Sequence, residues 1–156
     1  MANGGFDDGS ATYGTSSWSQ VRSLRKWNLH GGASRTGYAK RSGSYGVRVA
    51  DPDGGTAHAT QLVRAREGVN YRVVGWARQV SGASAQSLYL DFIDGNYARI
   101  GSPKTASAGT STAWHEVAAE AVSPSGTRFV RVIAYGGASS GVKSTVDWDD
   151  FRVTAW

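Results

Sequence analysis

The sequence contains no cysteine, and among its 156 residues only three are proline and four are phenylalanine. Without cysteine the chain has no disulfide, no thiolate metal centre and no thiol nucleophile, although this absence does not settle the compartment. No apolar run approaches the roughly 20 residues that span a bilayer, and no signal peptide is recognisable. No stretch keeps a 3.6-residue apolar period for three turns, which argues against helices.

Glycine and aromatic residues are abundant instead, with 21 glycines, six tryptophans and seven tyrosines. Aromatic and β-branched residues suit pleated surfaces, and glycine-containing turns connect short strands. The composition therefore predicts an all-β protein, and the length fits a single domain over residues 1–156. Met1 and Ala2 read as an expression start, so the natural chain is expected to belong to a larger protein.

Strand signals recur along most of the chain. Seven segments that alternate or carry β-rich residues are predicted as strands: 45–49, 59–65, 71–79, 87–92, 114–121, 128–135 and 144–153. The first 40 residues predict loops with one or two edge strands. Short strands at this spacing, separated by turn residues, indicate a β-sandwich or a barrel.

The chain is basic, because its 17 lysines and arginines exceed its 12 aspartates and glutamates and leave a net charge of +5. This charge favours an anionic partner, and the alternative is a basic surface that is merely solvated. The basic residues are dispersed and form no recognised nucleic-acid motif, so no nucleic-acid partner is predicted.

Alternation along three predicted strands indicates a binding surface. Side chains on a strand point alternately to the core and to water. If the most apolar positions face the core, the outward positions include Trp76, Arg78, Tyr89, Arg131 and Tyr135. Aromatic and arginine side chains on one shared outward surface outline a ligand site. The alternative is that Trp76 and Tyr135 pack in the core or under loops.

The sequence predicts no active site. His30, His58 and His115 stand apart, without metal-ligand spacing or a motif serine. Asp149 and Asp150 are adjacent residues of a predicted strand, so they are expected to point to opposite faces and cannot act as a glycosidase pair. A jelly-roll lyase remains an alternative, although no cluster of His, Tyr, Arg and Gln is visible.

Carboxylates lie beside β-type segments at both ends of the chain, in residues 3–7 and 146–153. In a domain without disulfides, such ends need fastening. Paired oxygen ligands suit a hard cation such as calcium, which would hold the first and last strands together. The alternative is that these acids are ordinary turn and edge-strand residues.

Five short motifs, taken together, resemble one family of modules. In chain order they are Asn3-Gly4-Gly5-Phe6-Asp7, Gly43-Ser44-Tyr45-Gly46-Val47-Arg48-Val49, Gly68 through Arg78, Trp114-His115-Glu116 and Trp148 through Val153. Their order and spacing resemble carbohydrate-binding modules of families 4, 9, 16 and 22, and the resemblance covers essentially the whole chain. It implies a jelly-roll β-sandwich of two antiparallel sheets, without catalysis, attached to the catalytic domain of a secreted polysaccharide-degrading enzyme.

The resemblance also implies a structural calcium. The matching positions place its carboxylate ligands at Asp7 and Asp149 and its carbonyl ligands at Gly5 and Tyr45. Ser42 occupies a position that is often acidic in the family, which removes one charge from the expected site.

The family's ligand site commonly lies on the concave sheet. The resemblance places Arg131 and Tyr135 in that cleft and Tyr97 near a frequent stacking position. A second stacking position has no aromatic here, so His58 and Gln61 are expected as polar substitutes.

Few stacking residues and several arginines favour an acidic polysaccharide such as alginate, pectate or a sulfated glycan, since guanidinium groups bind carboxylate and sulfate in two parallel hydrogen bonds. A neutral β-glucan or xylan is the alternative ligand. The alternative of another class is a structural or cell-surface adhesion module without a glycan site.

Overall fold

The computed structural model describes residues 4–7, 11–13, 24, 26–51, 56–137 and 143–156. Within these ranges the only helical element is a 3₁₀ turn, Gly37–Ala39, and no helix has the length and apolar character of a membrane span. The strands are β1 (Ala11–Tyr13), β2 (Trp27–His30), β3 (Gly32–Thr36), β4 (Gly46–Asp51), β5 (Thr56–Arg64), β6 (Asn70–Gly82), β7 (Ser87–Ile93), β8 (Arg99–Ser107), β9 (His115–Val122), β10 (Phe129–Gly137) and β11 (Ser144–Ala155).

These strands form two sheets packed face to face. The six-stranded sheet has the order β1-β2-β5-β10-β7-β8, and the five-stranded sheet has the order β3-β4-β11-β6-β9. Neighbouring strands are antiparallel, except that β1 and β2 run parallel. From β4 onward the chain passes repeatedly from one sheet to the other. The predicted all-β jelly-roll sandwich of two antiparallel sheets is confirmed.

The core lies between the sheets and is built by strand alternation. On β10, Val130, Val132 and Ala134 are fully buried and face the other sheet. Phe6, from the first segment, is also fully buried, and its ring stacks on Trp27 with a centroid distance of 4.7 Å. The beginning of the chain is therefore part of the core.

All seven predicted strands are present, with ends that differ by a few residues. Strand β8 was not predicted, because its residues Arg99–Ser107 include glycine, proline and lysine and show no apolar alternation. Because β8 is an edge strand, its backbone pairs on one side only and its side chains stay largely exposed. Of the strands in the first 40 residues, β1 and β3 are edge strands, as expected, and β2 lies inside the six-stranded sheet.

Candidate functional site

The outward surface predicted from alternation is in fact two surfaces. Trp76 and Arg78 lie on β6 in the five-stranded sheet, whereas Tyr89, Arg131 and Tyr135 lie on β7 and β10 in the six-stranded sheet. The outer faces of the two sheets point away from each other, so these residues cannot contact one ligand together. The prediction was wrong on this point because alternation separates inward from outward positions but does not assign a strand to a sheet.

Cross-strand register defines the outer face of the six-stranded sheet. One row across the sheet runs through His30, His58, Tyr135, Ser87 and Ser107. His58 is fully buried, whereas Tyr135 and Ser87 are half-buried and Ser107 is exposed. The face therefore opens to solvent toward the β8 edge.

The neighbouring row shows the same gradient. It runs from Thr60 and Ile133, both buried, to the half-buried Tyr89 and the exposed Thr105. The rings of Tyr89 and Tyr135 meet edge to face with centroids 5.5 Å apart. We define the tyrosine patch by its members: Ser87, Tyr89, Thr105, Ser107 and Tyr135.

The absence of a side chain at Gly137 leaves room for the Tyr135 ring. The ring lies against Gly137, where an added Cβ would come within 2.5 Å of the phenol oxygen. The pKa of Tyr135 is raised, mainly by burial and then by the neighbouring Tyr89 and Asp51. Its phenol therefore stays protonated at neutral pH and can donate a hydrogen bond.

Arg131 lies on the same outer face but is buried and bound to a carboxylate. Only 2% of its surface is exposed, and its Nε and Nη2 atoms donate to Asp91 Oδ2 at 3.0 and 2.7 Å. Arg99 donates to the same oxygen at 3.0 Å. Arg131 is thus a structural residue, and its predicted role of binding an acidic glycan is corrected.

The predicted polar substitutes are not accessible to a ligand either. Gln61 points to the same side of β5 as Ala59, which belongs to the core, and it is fully buried. His58 points to the outer side of the sheet, but it is also fully buried. Its Nδ1 lies 2.9 Å from the Thr60 hydroxyl. Because both faces of β5 carry polar residues, the sequence does not indicate which of its residues point to the core.

Tyr97 lies in the turn between β7 and β8 and packs against the sheet. Its ring stacks on Phe129 at 5.2 Å with an angle of 8°, in a small apolar cluster with Leu62 and Ile93. One face of this ring is therefore covered, and the predicted stacking position offers at most the other face.

On the outer face of the five-stranded sheet, guanidinium groups cover the aromatic rings. Arg41 lies 3.6 Å above the ring centroid of Trp76, and Arg78 lies 4.8 Å from that of Trp114. Arg78 and Arg48 both donate to Asp147, which is fully buried. On this face the aromatic rings thus make cation–π contacts with arginines of the same chain.

Two of the three histidines come together, although the sequence placed them apart. The rings of His30 and His58 are 5.3 Å apart, and His58 is the cross-strand partner of Tyr135. His115 lies on the other sheet, where its Nε2 is 2.6 Å from the Ala108 carbonyl oxygen.

The two ends of the chain meet as predicted. The Phe151 amide donates to the Gly4 carbonyl at 2.9 Å, and Arg35 Nε donates to the Phe6 carbonyl at 2.6 Å. Asp7 Oδ1 accepts hydrogen bonds from the backbone amides of Ser44 and Tyr45 at 2.7 and 2.9 Å.

Asp149 is a fully buried carboxylate. Its Oδ2 accepts from the backbone amides of Arg41 and Ser42 at 2.7 and 3.0 Å. Burial raises the pKa of Asp149 to about 6, although these hydrogen bonds act in the opposite direction.

Asp150 does not point away from Asp149, in contrast to the expectation. A bulge interrupts the register between Asp149 and Arg152, and Asp150 has a φ of 50°. Both features break the alternation of the strand. As a result Asp150 accepts a hydrogen bond from the Ser42 hydroxyl and pairs with Arg41 at 2.7 Å.

The carboxylates converge beside Gly5. A Cβ placed on Gly5 would lie 3.4 Å from Asp7 Oδ2, 3.7 Å from Asp149 Oδ1 and 3.9 Å from Asp150 Oδ1. Carboxylate and carbonyl oxygens are the ligand types that calcium binds. In the described ranges no three acidic or histidine side chains suffice by themselves to hold a metal, so a cation here would also need carbonyl oxygens.

Comparisons with known proteins establish the class of fold. No family model and no curated protein sequence matches the chain. Many solved structures match it in fold, and three of them illustrate the likeness. The first is the enzymatically active domain of bacteriophage CBA120 tailspike protein 4, with a TM-score of 0.71 and 14% identity over 100% of this chain and 21% of that chain. The second is a family 61 carbohydrate-binding module in complex with beta-1,4-galactotriose, with a TM-score of 0.62 and 18% identity over 100% and 97% of the two chains.

The third is the family 22 xylan-binding domain from Paenibacillus barcinonensis Xyn10C, with a TM-score of 0.56 and 14% identity over 88% of this chain and 90% of that chain. A family 16 module also matches. At these identities the likeness establishes the fold, and the predicted resemblance to carbohydrate-binding modules is confirmed at that level. The chain spans about a fifth of the length of the tailspike chain.

Proposed function

We propose that this domain binds a polysaccharide without cleaving it, and that the ligand lies on the tyrosine patch. The observation that carries the proposal is the edge-to-face pair of Tyr89 and Tyr135, flanked by the hydroxyl groups of Ser87, Thr105 and Ser107. Aromatic rings offer apolar area to the faces of a sugar, and neighbouring hydroxyls bind its polar groups. The structural similarity to sugar-binding modules supports this assignment.

We propose further that the polysaccharide is acidic. The net charge of +5 supports this preference. Arg78 and Arg131, which the sequence suggested for the acidic groups, are already paired with carboxylates. Contacts with acidic groups are therefore expected from basic residues that form no such pair.

Affinity electrophoresis tests the proposal, with polygalacturonate, alginate and a sulfated glycan set against xylan and a neutral β-glucan. We expect retention by at least one acidic polymer and a loss of roughly tenfold or more in affinity for Tyr135→Ala, since truncating a central aromatic of a binding surface costs about 2 kcal/mol. Tyr38→Ala is the matched control, because Tyr38 is 81% exposed and its carbonyl bonds Arg78 of the other sheet. If this control loses retention while Tyr135→Ala keeps it, the site lies on the side of the five-stranded sheet and the proposal is wrong.

A second variant guards against a folding effect of the truncation. Gly137→Ala keeps the Tyr135 side chain but pushes its ring from its position. Weaker retention with an unchanged melting temperature is expected. Normal retention by both Gly137→Ala and Tyr135→Ala would contradict the proposal.

The grouping of His30, His58 and Tyr135 favours one alternative function, a lyase that removes a proton from a uronate. Two features of the site oppose it, since the pKa of Tyr135 is raised and His58 is fully buried. Incubation with polygalacturonate and alginate distinguishes the two functions. We expect no ultraviolet-absorbing unsaturated product, and its appearance would replace the binding function by a catalytic one.

We also propose that a structural calcium fastens the two ends through Asp7 and Asp149, with Gly5, Ser42 and Tyr45 alongside. The convergence of carboxylate oxygens beside Gly5 supports it. Exhaustive chelation should lower the melting temperature by several degrees, because a ligand held only by the folded state stabilises that state. Asp149→Asn should abolish the response to added calcium. An unchanged melting temperature after chelation would contradict the calcium proposal.

The domain is proposed to act as one part of a longer secreted protein, delivering a catalytic partner to the polysaccharide. Its match to about a fifth of the tailspike chain supports a modular role. If no polymer in the panel retains the domain, a structural or adhesion module becomes the better description.

A further inference from the structure

A cleft of about 700 Å³ opens at one end of the sandwich, away from the tyrosine patch. It lies where β5 ends, β10 begins and β11 ends. Apolar side chains form part of its wall, and three arginines form its charged part. Its lining residues are Val63, Arg64, Ala65, Arg66, Tyr71, Gly95, Arg128, Phe129, Val153 and Ala155.

The backbone that carries these arginines is held firmly. Arg128 is fixed on both sides, because its carbonyl accepts from Ala65 N and its amide donates to the Ile93 carbonyl, each at 2.8 Å. The Arg66 amide donates to the Tyr71 hydroxyl at 2.9 Å, and the Arg66 carbonyl accepts from the Ser123 hydroxyl at 2.6 Å. The backbone around the cleft is therefore fixed before a ligand binds.

The three guanidinium groups differ from the other arginines discussed above. Arg64, Arg66 and Arg128 are exposed, and none of them forms an ion pair with a carboxylate of the described residues. By contrast, Arg78 and Arg131 are both bound to aspartates. The cleft thus concentrates positive charge that this part of the chain does not neutralise.

The carboxylate closest in sequence is already occupied. Glu67 Oε2 accepts hydrogen bonds from the Gly126 amide at 2.7 Å and the Ser125 hydroxyl at 3.2 Å. These bonds are the main cause of its lowered pKa, and the charge of Arg128 contributes less. The Glu67 carboxylate therefore stabilises its turn and forms no ion pair with these arginines, and Arg128 Nη1 makes one long hydrogen bond, to the Thr127 carbonyl at 3.4 Å.

Asp94, next to the cleft residue Gly95, is engaged in a similar way. Its Oδ1 accepts from the amides of Asn96 and Ala98, each at 2.8 Å. Among the described residues, the acids on both sides of the cleft thus stabilise turns instead of pairing with its arginines.

We infer that this cleft binds an acidic sugar residue, with its carboxylate or sulfate group against Arg64, Arg66 and Arg128 and its ring against the partly exposed apolar lining of Val63, Ala65 and Val153. Guanidinium groups bind such anions through paired charge-assisted hydrogen bonds. A cleft of this volume suits a small ligand such as a short oligosaccharide. The inference depends on the proposed function only in taking the anion to be part of a saccharide.

The confinement of the charge argues against a nucleic acid. Proteins that bind single strands use an extended basic groove with successive stacking residues. Here only three arginines line one cleft, and the neighbouring aromatics, Tyr71 and Phe129, are almost completely buried.

Calorimetric titration with trigalacturonate and with a sulfated trisaccharide tests the inference. The variants are Arg64→Gln and Arg128→Gln, and Arg152→Gln is the matched control because Arg152 is exposed on the outer face of the five-stranded sheet. We expect each cleft variant to bind at least one ligand about tenfold more weakly, since each removes a charge-assisted contact. Arg152→Gln should bind as the wild type does, and all variants should keep the wild-type melting temperature.

The outcomes separate this inference from the proposed function. If Tyr135→Ala loses binding while the cleft variants keep it, the cleft inference is wrong and the tyrosine patch stands. If the cleft variants lose binding while Tyr135→Ala keeps it, the cleft stands and the proposed site on the patch fails. If Arg152→Gln weakens binding as much as the cleft variants do, the effect is one of net charge and the cleft inference is wrong. Competition by inorganic sulfate or by single-stranded DNA at equal affinity would also overturn the inference.

Discussion

The outer faces of the two sheets carry similar residue types and use them differently. On the five-stranded sheet, Arg41 and Arg78 lie over the rings of Trp76 and Trp114. On the six-stranded sheet, two tyrosines contact each other edge to face and keep part of their rings at the surface. An outward aromatic is therefore not by itself a sugar platform, because what covers the ring decides whether a ligand can reach it.

The buried aspartates show the same contrast between the faces. Asp91, on the six-stranded sheet, is paired with Arg131, whose side chain is only 2% exposed. Asp147, on the five-stranded sheet, is paired with Arg48 and Arg78, whose side chains are 31% and 33% exposed. Water can replace a lost partner on the second face more easily than on the first.

The largest expected effect follows from breaking the deeper pair. Arg131→Ala leaves the fully buried Asp91 with Arg99 as its remaining partner, so it should lower the free energy of unfolding by about 3–5 kcal/mol. Urea denaturation measures this change. Arg72→Ala is the control, since the exposed Arg72–Glu116 pair should contribute less than about 1 kcal/mol. Equal losses in the two variants would contradict the contrast.

A smaller effect is expected on the other face. Asp147→Asn removes the charge between two arginines that water can still reach, so the free energy of unfolding should fall by about 1–2 kcal/mol. The same denaturation experiment gives the value. A loss as large as that of Arg131→Ala would mean that both faces depend equally on their ion pairs.

The sequence predicted the strands of the core well because their alternation records burial directly. Alternation that turns Arg131 and Tyr135 outward assigns Val130, Val132 and Ala134 to the core, and they are buried there. The edge strand β8 could not be predicted, since an edge strand that stays exposed needs no apolar pattern.

The candidate site was predicted only in part, because its composition depends on long-range pairing. Tyr89 and Tyr135 are outward as expected, but Trp76 belongs to the other sheet, and nothing local in the chain specifies which sheet a strand joins. Gln61 was misplaced because polar residues occupy both faces of β5. The orientation of Asp150 depends on a bulge that strict alternation cannot anticipate.

The cleft arginines illustrate the same limit. Arg64, Arg66 and Arg128 carry no local pattern, and only the pairing of β5 with β10 brings two of them together. Which arginines are neutralised is likewise a property of the folded structure, as the pairing of Arg131 with Asp91 shows.

The central claim is that the ligand lies on the tyrosine patch, and mapping of backbone amide shifts by nuclear magnetic resonance tests it most directly. The titrant is an oligosaccharide derived from the polymer that retains the domain. We expect a set of large shifts within β7, β8 and β10, around Tyr89 and Tyr135, and little change along β6 and β9. Large shifts along β6 and β9, around Trp76 and Arg78, with none at the patch, would contradict it.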